Sequence, residues 1–194
     1  MLTHPARVFI VSAPSGAGKT TLVRAMMERY GVFALSISAT TRAPRVGEQE
    51  GVDYYFMDAA TFAQRREAGD FLEWEEVYPG RYYGTLRSEV DRILDAGLYP
   101  IFDVDVKGGL NIKQYYGVAA VSIFIRPPRE DVLLERLQQR NTDSPADIER
   151  RYAKAREELA YAPQFDYVIV NDVLPHAIES IAGIIERHLV VQPD

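Results

Sequence analysis

Apolar and polar positions divide the chain into strands and helices that alternate. Residues 8–12, Val8-Phe9-Ile10-Val11-Ser12, begin as a continuous apolar run rich in β-branched side chains, the pattern of a strand buried on both faces of a parallel sheet. The run breaks at Pro14, Gly16 and Gly18, and restarts at helical period with Leu22, Val23, Met26, Met27 and Tyr30 on one face. Residues 33–38 read as a second short strand, and residues 99–105, 118–125 and 167–171 as further ones. Helical period returns in Val132, Leu133, Leu134 and Leu137, in Ile148, Tyr152, Ala155 and Leu159, and in Ile178, Ile181 and Ile185. The middle one of these helices has a start signal in Ser144-Pro145-Ala146-Asp147, serine at the cap and proline at the first position. Such alternation predicts an α/β fold with a parallel sheet at the centre of a three-layer core. Residues 58–97 depart from it. There 61–68 and 87–96 read as helical and 71–77 as extended, an α+β insertion off the main sheet, with Trp74 and Tyr82 expected in apolar packing.

Composition narrows the class. At 194 residues, 47% apolar and 26% charged, the chain suits one globular domain with excursions. It has no cysteine, so neither a disulfide framework nor a thiolate metal site is available. His4, His176 and His188 lie far apart and in no metal-ligand spacing, and each is expected at the surface or at a helix end. No apolar run approaches the ~20 residues that span a membrane, and the N-terminal run reads as a strand and not a signal peptide, so a cytoplasmic location is expected. A net charge of −6 argues against binding a nucleic-acid polymer. Arginines instead cluster locally, as Arg42 with Arg45, Arg136 with Arg140, and Arg150 with Arg151, which suits a pocket for small phosphorylated molecules.

The break after the first strand carries chemistry. Ser12-Ala13-Pro14-Ser15-Gly16-Ala17-Gly18-Lys19-Thr20-Thr21 is a strand end, a glycine-rich turn and a helix start, the architecture of a phosphate-binding loop and of a P-loop NTPase-type core. Free N–H groups of the turn and of the first helical turn converge on an anion. Lys19 is placed to neutralise β- and γ-phosphates, and the Thr20 hydroxyl to ligate Mg²⁺. Ala13 departs from the usual glycine and requires a negative φ there. A ligand-free turn is the bland alternative, and the lysine and two hydroxyls that follow Gly18 weigh against it. Asp103 and Asp105 fall at the C-terminal end of a predicted strand, where open α/β sheets bind ligands. Asp103 is expected to hold Mg²⁺ through water, with capping of the following helix as the alternative reading.

Two more segments present arginines. Thr40-Thr41-Arg42-Ala43-Pro44-Arg45-Val46-Gly47-Glu48 is either a phosphate clamp of planar guanidinium forks or a solvated loop. The helices around Arg136, Arg140, Arg150 and Arg151 are either a lid over a triphosphate or solvated faces.

The phosphate loop, T-T-R-A-P-R-V-G-E, Asp53-Tyr54-Tyr55-Phe56, Phe71-Leu72-Glu73-Trp74, Tyr82-Tyr83-Gly84-Thr85, Asp103-Val104-Asp105 and Val168-Ile169-Val170-Asn171-Asp172 follow one another in an order that resembles the guanylate kinase family over nearly the whole chain. The resemblance implies phosphoryl transfer from ATP to GMP or dGMP, with Mg²⁺ and no membrane or nucleic-acid partner. It divides the chain into a core (1–36, 98–127 and 160–194), a GMP-binding insertion (37–97) and a lid (128–159). It puts Ser38, Arg42, Arg45, Tyr54 and Tyr83 on the GMP phosphate, Glu73, Thr85 and Asp105 at guanine, Arg136, Arg140 and Arg151 on the transferred phosphates, and Asn171 at adenine. One carboxylate at Glu73 can accept from both N1–H and the 2-amino group of guanine, donors that adenine lacks there. Against the family pattern, Lys107 replaces an expected glutamine, Asn141 a common glycine, and residues 77–81 are one longer than in many relatives. The competing functions are a kinase for another small phosphorylated acceptor, which has no need of Glu73, Thr85 and Asp105 together, and a phosphopeptide-binding module, which tends to have a degraded phosphate loop.

Overall fold

The computed structural model describes residues 8–139 and 145–189. Strand β1 (Val8–Ser12) enters the phosphate loop, which leads into α1 (Lys19–Arg29). After β2 (Phe33–Leu35) the chain leaves the core for β3 (Ser38–Thr40), β4 (Tyr55–Phe56), α2 (Ala59–Glu67), β5 (Phe71–Tyr78), β6 (Arg81–Leu86) and α3 (Arg87–Asp95). It returns through β7 (Tyr99–Val104), α4 (Val106–Tyr116) and β8 (Ala120–Arg126). Helices α5 (Glu130–Gln139) and α6 (Pro145–Leu159) follow, and β9 (Tyr167–Val170) and α7 (Leu174–His188) complete the described fold.

The core sheet has the order β2-β7-β1-β8-β9 and is parallel throughout. Strand alternation builds its three layers. Phe9 and Val11 face one side and pack with α1 and α7 through Leu22, Met26, Ile181 and Ile185. Val8 and Ile10 face the other and pack with Val90 of α3 and Ile112 of α4. Full burial of β1 on both faces explains why its sequence is apolar without alternation.

The second sheet, β4-β3-β6-β5, stands on the insertion. Strands β3 and β6 pair antiparallel, as do β5 and β6, while β3 and β4 run parallel. Ala39, Phe62, Phe71 and Leu86 form its small core, against which Tyr82 packs as expected. Asp58 starts α2 by accepting from the Thr61 N–H at 2.6 Å.

Two expectations are corrected here. Residues 33–38 are not one strand. The run breaks after Leu35, and β2 and β3 belong to different sheets, because Ser36 N donates to Ile101 O of the core while the Ile37 N–H faces Glu89 Oε1 (3.3 Å) under the insertion. Trp74 is not core but 39% exposed. Alternation along β5 turns Glu73 into the cleft, so its neighbour faces outward, where Trp74 meets Tyr82 (centroids 6.2 Å apart) and the Arg66 guanidinium at 5.0 Å.

Gly84 in β6 lets the β5–β6 pair close up. A Cβ there would lie 2.8 Å from Phe71 Cδ1 and 2.9 Å from the Glu73 carbonyl oxygen. Gly84→Ala is therefore expected to destabilise the fold by about 1–3 kcal/mol, read as a lower urea midpoint at unchanged slope. Among the described residues no helix is long and apolar enough to cross a membrane.

Candidate functional site

The register of the core sheet brings the first motif together. Val11 lies opposite Asp103 and Ser12 opposite Val104, so the phosphate loop and the end of β7 emerge side by side. Gly16 and Gly18 hold φ of 92° and 91°, values that L side chains rarely adopt, and Gly18 begins α1 with no acidic residue in the first turn. The positive end of that helix is left to the cleft. Ala13 is buried in the main core cluster.

Three side chains meet over the loop. Lys19 Nζ donates to Val104 O and pairs with Asp103 Oδ1, both at 2.6 Å, while Thr20 Oγ1 donates to Asp103 Oδ2 at 2.7 Å. Asp103 is not the cap of α4. That part belongs to Asp105, whose Oδ1 accepts from the Lys107 and Gly108 N–H groups at 2.9 and 3.0 Å. Among the described residues no group of three or more His, Asp or Glu side chains is arranged to hold a metal. The hydroxyl of Thr20 and the carboxylate of Asp103 are two hard oxygen donors at one point, a set that fits Mg²⁺, which keeps most of its shell as water and phosphate oxygen.

The facing wall comes from the insertion and α4. Glu73 is 8% exposed and accepts from Thr85 Oγ1 at 2.7 Å. Burial pushes its carboxyl up to about 7, helped by the charges of Asp105 and Glu75 and opposed by Thr85. Gly108 admits it: a Cβ there would be 2.9 Å from Glu73 Oε2. Ser38, Tyr54 and Tyr83 line the same cleft, whose volume is about 340 Å³ and which runs from Ser15 and Lys19 to Glu73. Nothing in local sequence brings Lys19 and Glu73 together; the sheet crossings do.

The arginines are held by other partners. Arg42 makes a two-pronged pair with Glu48, Nη1 to Oε2 at 2.7 Å and Nη2 to Oε1 at 2.6 Å, and lies 4.9 Å from the Tyr54 ring centre. Glu48 also accepts the Arg45 N–H at 2.7 Å, while the Arg45 side chain is exposed. The Arg42 hydrogen bonds pull the Glu48 carboxyl down to about 2, and Arg42 is raised in turn. Arg136 Nη2 donates to Asn171 O at 3.2 Å, and Arg151 Nη2 to Ser15 Oγ at 2.8 Å. Arg140 and Asn141 lie outside the described residues. Asn171, expected at adenine, is 6% exposed and commits its amide to the Ala17 carbonyl at 2.8 Å. It braces the phosphate loop from behind, packed so closely against Gly18 that no Cβ fits there.

Sequence reasoning passed over Tyr78, Lys154 and Glu158, which also line the cleft. Lys154 and Glu158 follow Arg151 at helical spacing on α6, a signal that could have found them. Glu158 is buried, and burial pushes it up to about 7, with Lys154 opposing.

The family model for guanylate kinase matches residues 5–188. The guanylate kinase of Bacteroides fragilis is 48% identical over 192 residues, 99% of this chain and 94% of the relative. That of Gloeobacter violaceus is 44% identical over 191 residues, 98% of this chain and 92% of the relative. The crystal structure of guanylate kinase from Anaplasma phagocytophilum superposes with a TM-score of 0.74 at 29% identity, over 96% of this chain and 88% of that one.

Proposed function

Since the chain belongs to the guanylate kinase family, we infer that it transfers the γ-phosphoryl group of ATP to GMP, giving ADP and GDP. The observation that carries the reading is the pairing of two unlike walls in one cleft, a phosphate loop with Lys19 and Thr20 on one side and the buried Glu73–Thr85 pair on the other. Residues 13–21 bind the triphosphate through backbone N–H groups and Lys19. Glu73 accepts from N1–H and the 2-amino group of guanine, and the Thr85 hydroxyl orients it. Asp105 stiffens that pocket by capping α4. Ser38, Arg42, Arg45, Tyr54 and Tyr83 take the GMP phosphate, with Arg42 exchanging Glu48 for phosphate oxygens.

No catalytic base is required, because a phosphate monoester with a second pKa near ~6 is already largely dianionic at neutral pH. The chain's work is to align two polyanions, neutralise them and keep water out. Lys19 and Arg151 sit at the loop and Arg136 beside it, so positive charge surrounds the group in flight. Thr20 and Asp103 are the residues that would hold Mg²⁺, which would supply further charge neutralisation on the triphosphate. Residues 37–97 act as the acceptor-binding insertion and 128–159 as the arginine-bearing cover, and dGMP is accepted as well as GMP.

The test is ADP formation from Mg·ATP with GMP, dGMP, AMP, CMP, UMP and ribose phosphates offered separately. Turnover is expected with GMP and dGMP, and kcat/KM for GMP is expected to exceed that for AMP by about 10⁴-fold, since adenine leaves the Glu73 carboxylate unpaired. ATP turnover indifferent to GMP would sink the proposal.

A further inference from the structure

Helix α6 touches both walls of the cleft. On the phosphate-loop side Arg151 donates to Ser15 Oγ at 2.8 Å. One turn further on, Lys154 Nζ donates to the Val77 carbonyl at 3.0 Å, at the tip of the β5–β6 hairpin. The same ammonium lies 4.9 Å from the centre of the Tyr78 ring, and the Arg150 guanidinium lies 5.6 Å from it. Tyr78 is half-buried, and burial raises its hydroxyl. Glu158, on the next turn, stands 3.7 Å from Lys154 and holds the ammonium at the hairpin. A Lys and an Arg both set over one tyrosine ring, with a carbonyl accepting from the lysine, make a specific contact and not a solvated helix face.

The hairpin end matters because β5 also carries Glu73, and β5 is laddered through β6 to β3, which carries Ser38. Moving the tip therefore moves the acceptor wall. Moving α6 moves Arg151 at the phosphate loop. One helix thus contacts both walls of the cleft, through Arg151 at Ser15 and Lys154 at Val77.

We propose that Tyr78 and Lys154 are positioning residues that couple the two subsites, so that filling the phosphate loop tightens GMP binding and GMP tightens nucleotide binding by the same factor. Neither residue takes part in the chemistry. Both act through the hairpin and α6, the single element that the two sites bias. The proposal rests on the ATP:GMP reading above.

The test is calorimetric titration of the full chain with GMP, with and without a Mg²⁺-loaded non-hydrolysable ATP analogue, comparing the two Kd values. In the wild type the analogue is expected to lower the GMP Kd by about 5-fold or more, and GMP to lower the analogue Kd equally. In Tyr78→Ala and in Lys154→Met the ratio is expected to fall to about 1, and the double variant to lose no more than either single one, since both cut the same link. Lys154→Arg keeps a cation on the ring and is expected to retain the coupling, which a loss caused by general loosening of the fold would not explain. Thermal melts establish that each variant is folded, and Lys154→Met, on a helix face, serves if Tyr78→Ala is not. A wild-type ratio of 1, or variants that keep the wild-type ratio, overturn the link alone. A wild-type chain that binds no GMP overturns the guanylate reading and the link with it.

Discussion

Glu73→Gln is expected to lower kcat/KM for GMP by about 10²–10⁴-fold, because two charge-assisted hydrogen bonds are replaced by one neutral bond and one donor facing a donor. The loss should fall on GMP and not on ATP, because the phosphate loop proposed to hold ATP lies at the other end of the cleft from Glu73. Measured as initial rates over a GMP series, the variant should also lose base selectivity against AMP. The wild-type carboxyl sits at about 7 in the ligand-free protein. Guanine needs it ionised, so the wild-type KM for GMP should rise as pH falls below 7, by at most about tenfold per unit. The glutamine variant should lack that dependence, keeping only the one that comes from the phosphate near pH ~6. Stability should run the other way. A carboxyl whose folded pKa lies above its unfolded value of 4.5 destabilises the fold progressively as pH rises from 4.5 through 7. With the side chain 8% exposed, the glutamine variant should be more stable than wild type at pH 8 by up to about 3 kcal/mol, and the gap should shrink as pH falls to 4.5. A variant that keeps its GMP selectivity, or melts below wild type at pH 8, contradicts this account of the pocket.

Lys19→Met should lower kcat by about 10²–10⁴-fold while leaving the GMP Kd unchanged. Methionine keeps the length and removes the charge. In the structure the ammonium is already fixed, 2.6 Å from both Asp103 Oδ1 and Val104 O, so it needs little reorganisation to face a phosphate. Removing it leaves one oxygen of Asp103 unpaired beside two incoming polyanions. Single-turnover phosphoryl transfer with GMP Kd measured in parallel separates the two variants: one loses the acceptor and the other the transfer step. Equal losses in GMP affinity for both would mean that the cleft works as one undivided site.

Residues 12–21 announced the phosphate loop because its chemistry is local: glycines at positive φ, a helix start, and a lysine and hydroxyl in fixed succession. The alternating order of strands and helices predicted the parallel core, since β1 and β8 are buried on both faces and are therefore mostly apolar without alternation. Resemblance added the acceptor residues, and the cleft does gather Ser38, Tyr54, Glu73 and Tyr83 opposite Lys19. Trp74 misled because an aromatic in a strand is read as core, whereas the face it takes is fixed by its neighbour Glu73. Residues 33–38 misled because an apolar run carries no mark of which sheet each half joins.

Sequence by itself therefore determined the fold class, the phosphate chemistry and the family, all of which depend on residue type and short-range spacing. Tertiary structure decided the rest. It assigned Asp103 to Lys19 and Thr20 and Asp105 to the α4 cap, although two aspartates two positions apart look equivalent in the chain. It put Asn171 behind the loop, engaged Arg42 with Glu48, and brought Lys154 of α6 to Val77 and Tyr78. The contacts of Asp103 with Lys19 and Thr20, of Asn171 with Ala17 and of Lys154 with Val77 join residues far apart in sequence, so they follow from the tertiary fold and no local pattern encodes them. The Asp105 cap and the Arg42–Glu48 pair are short-range and needed the structure only to say which partner each side chain takes.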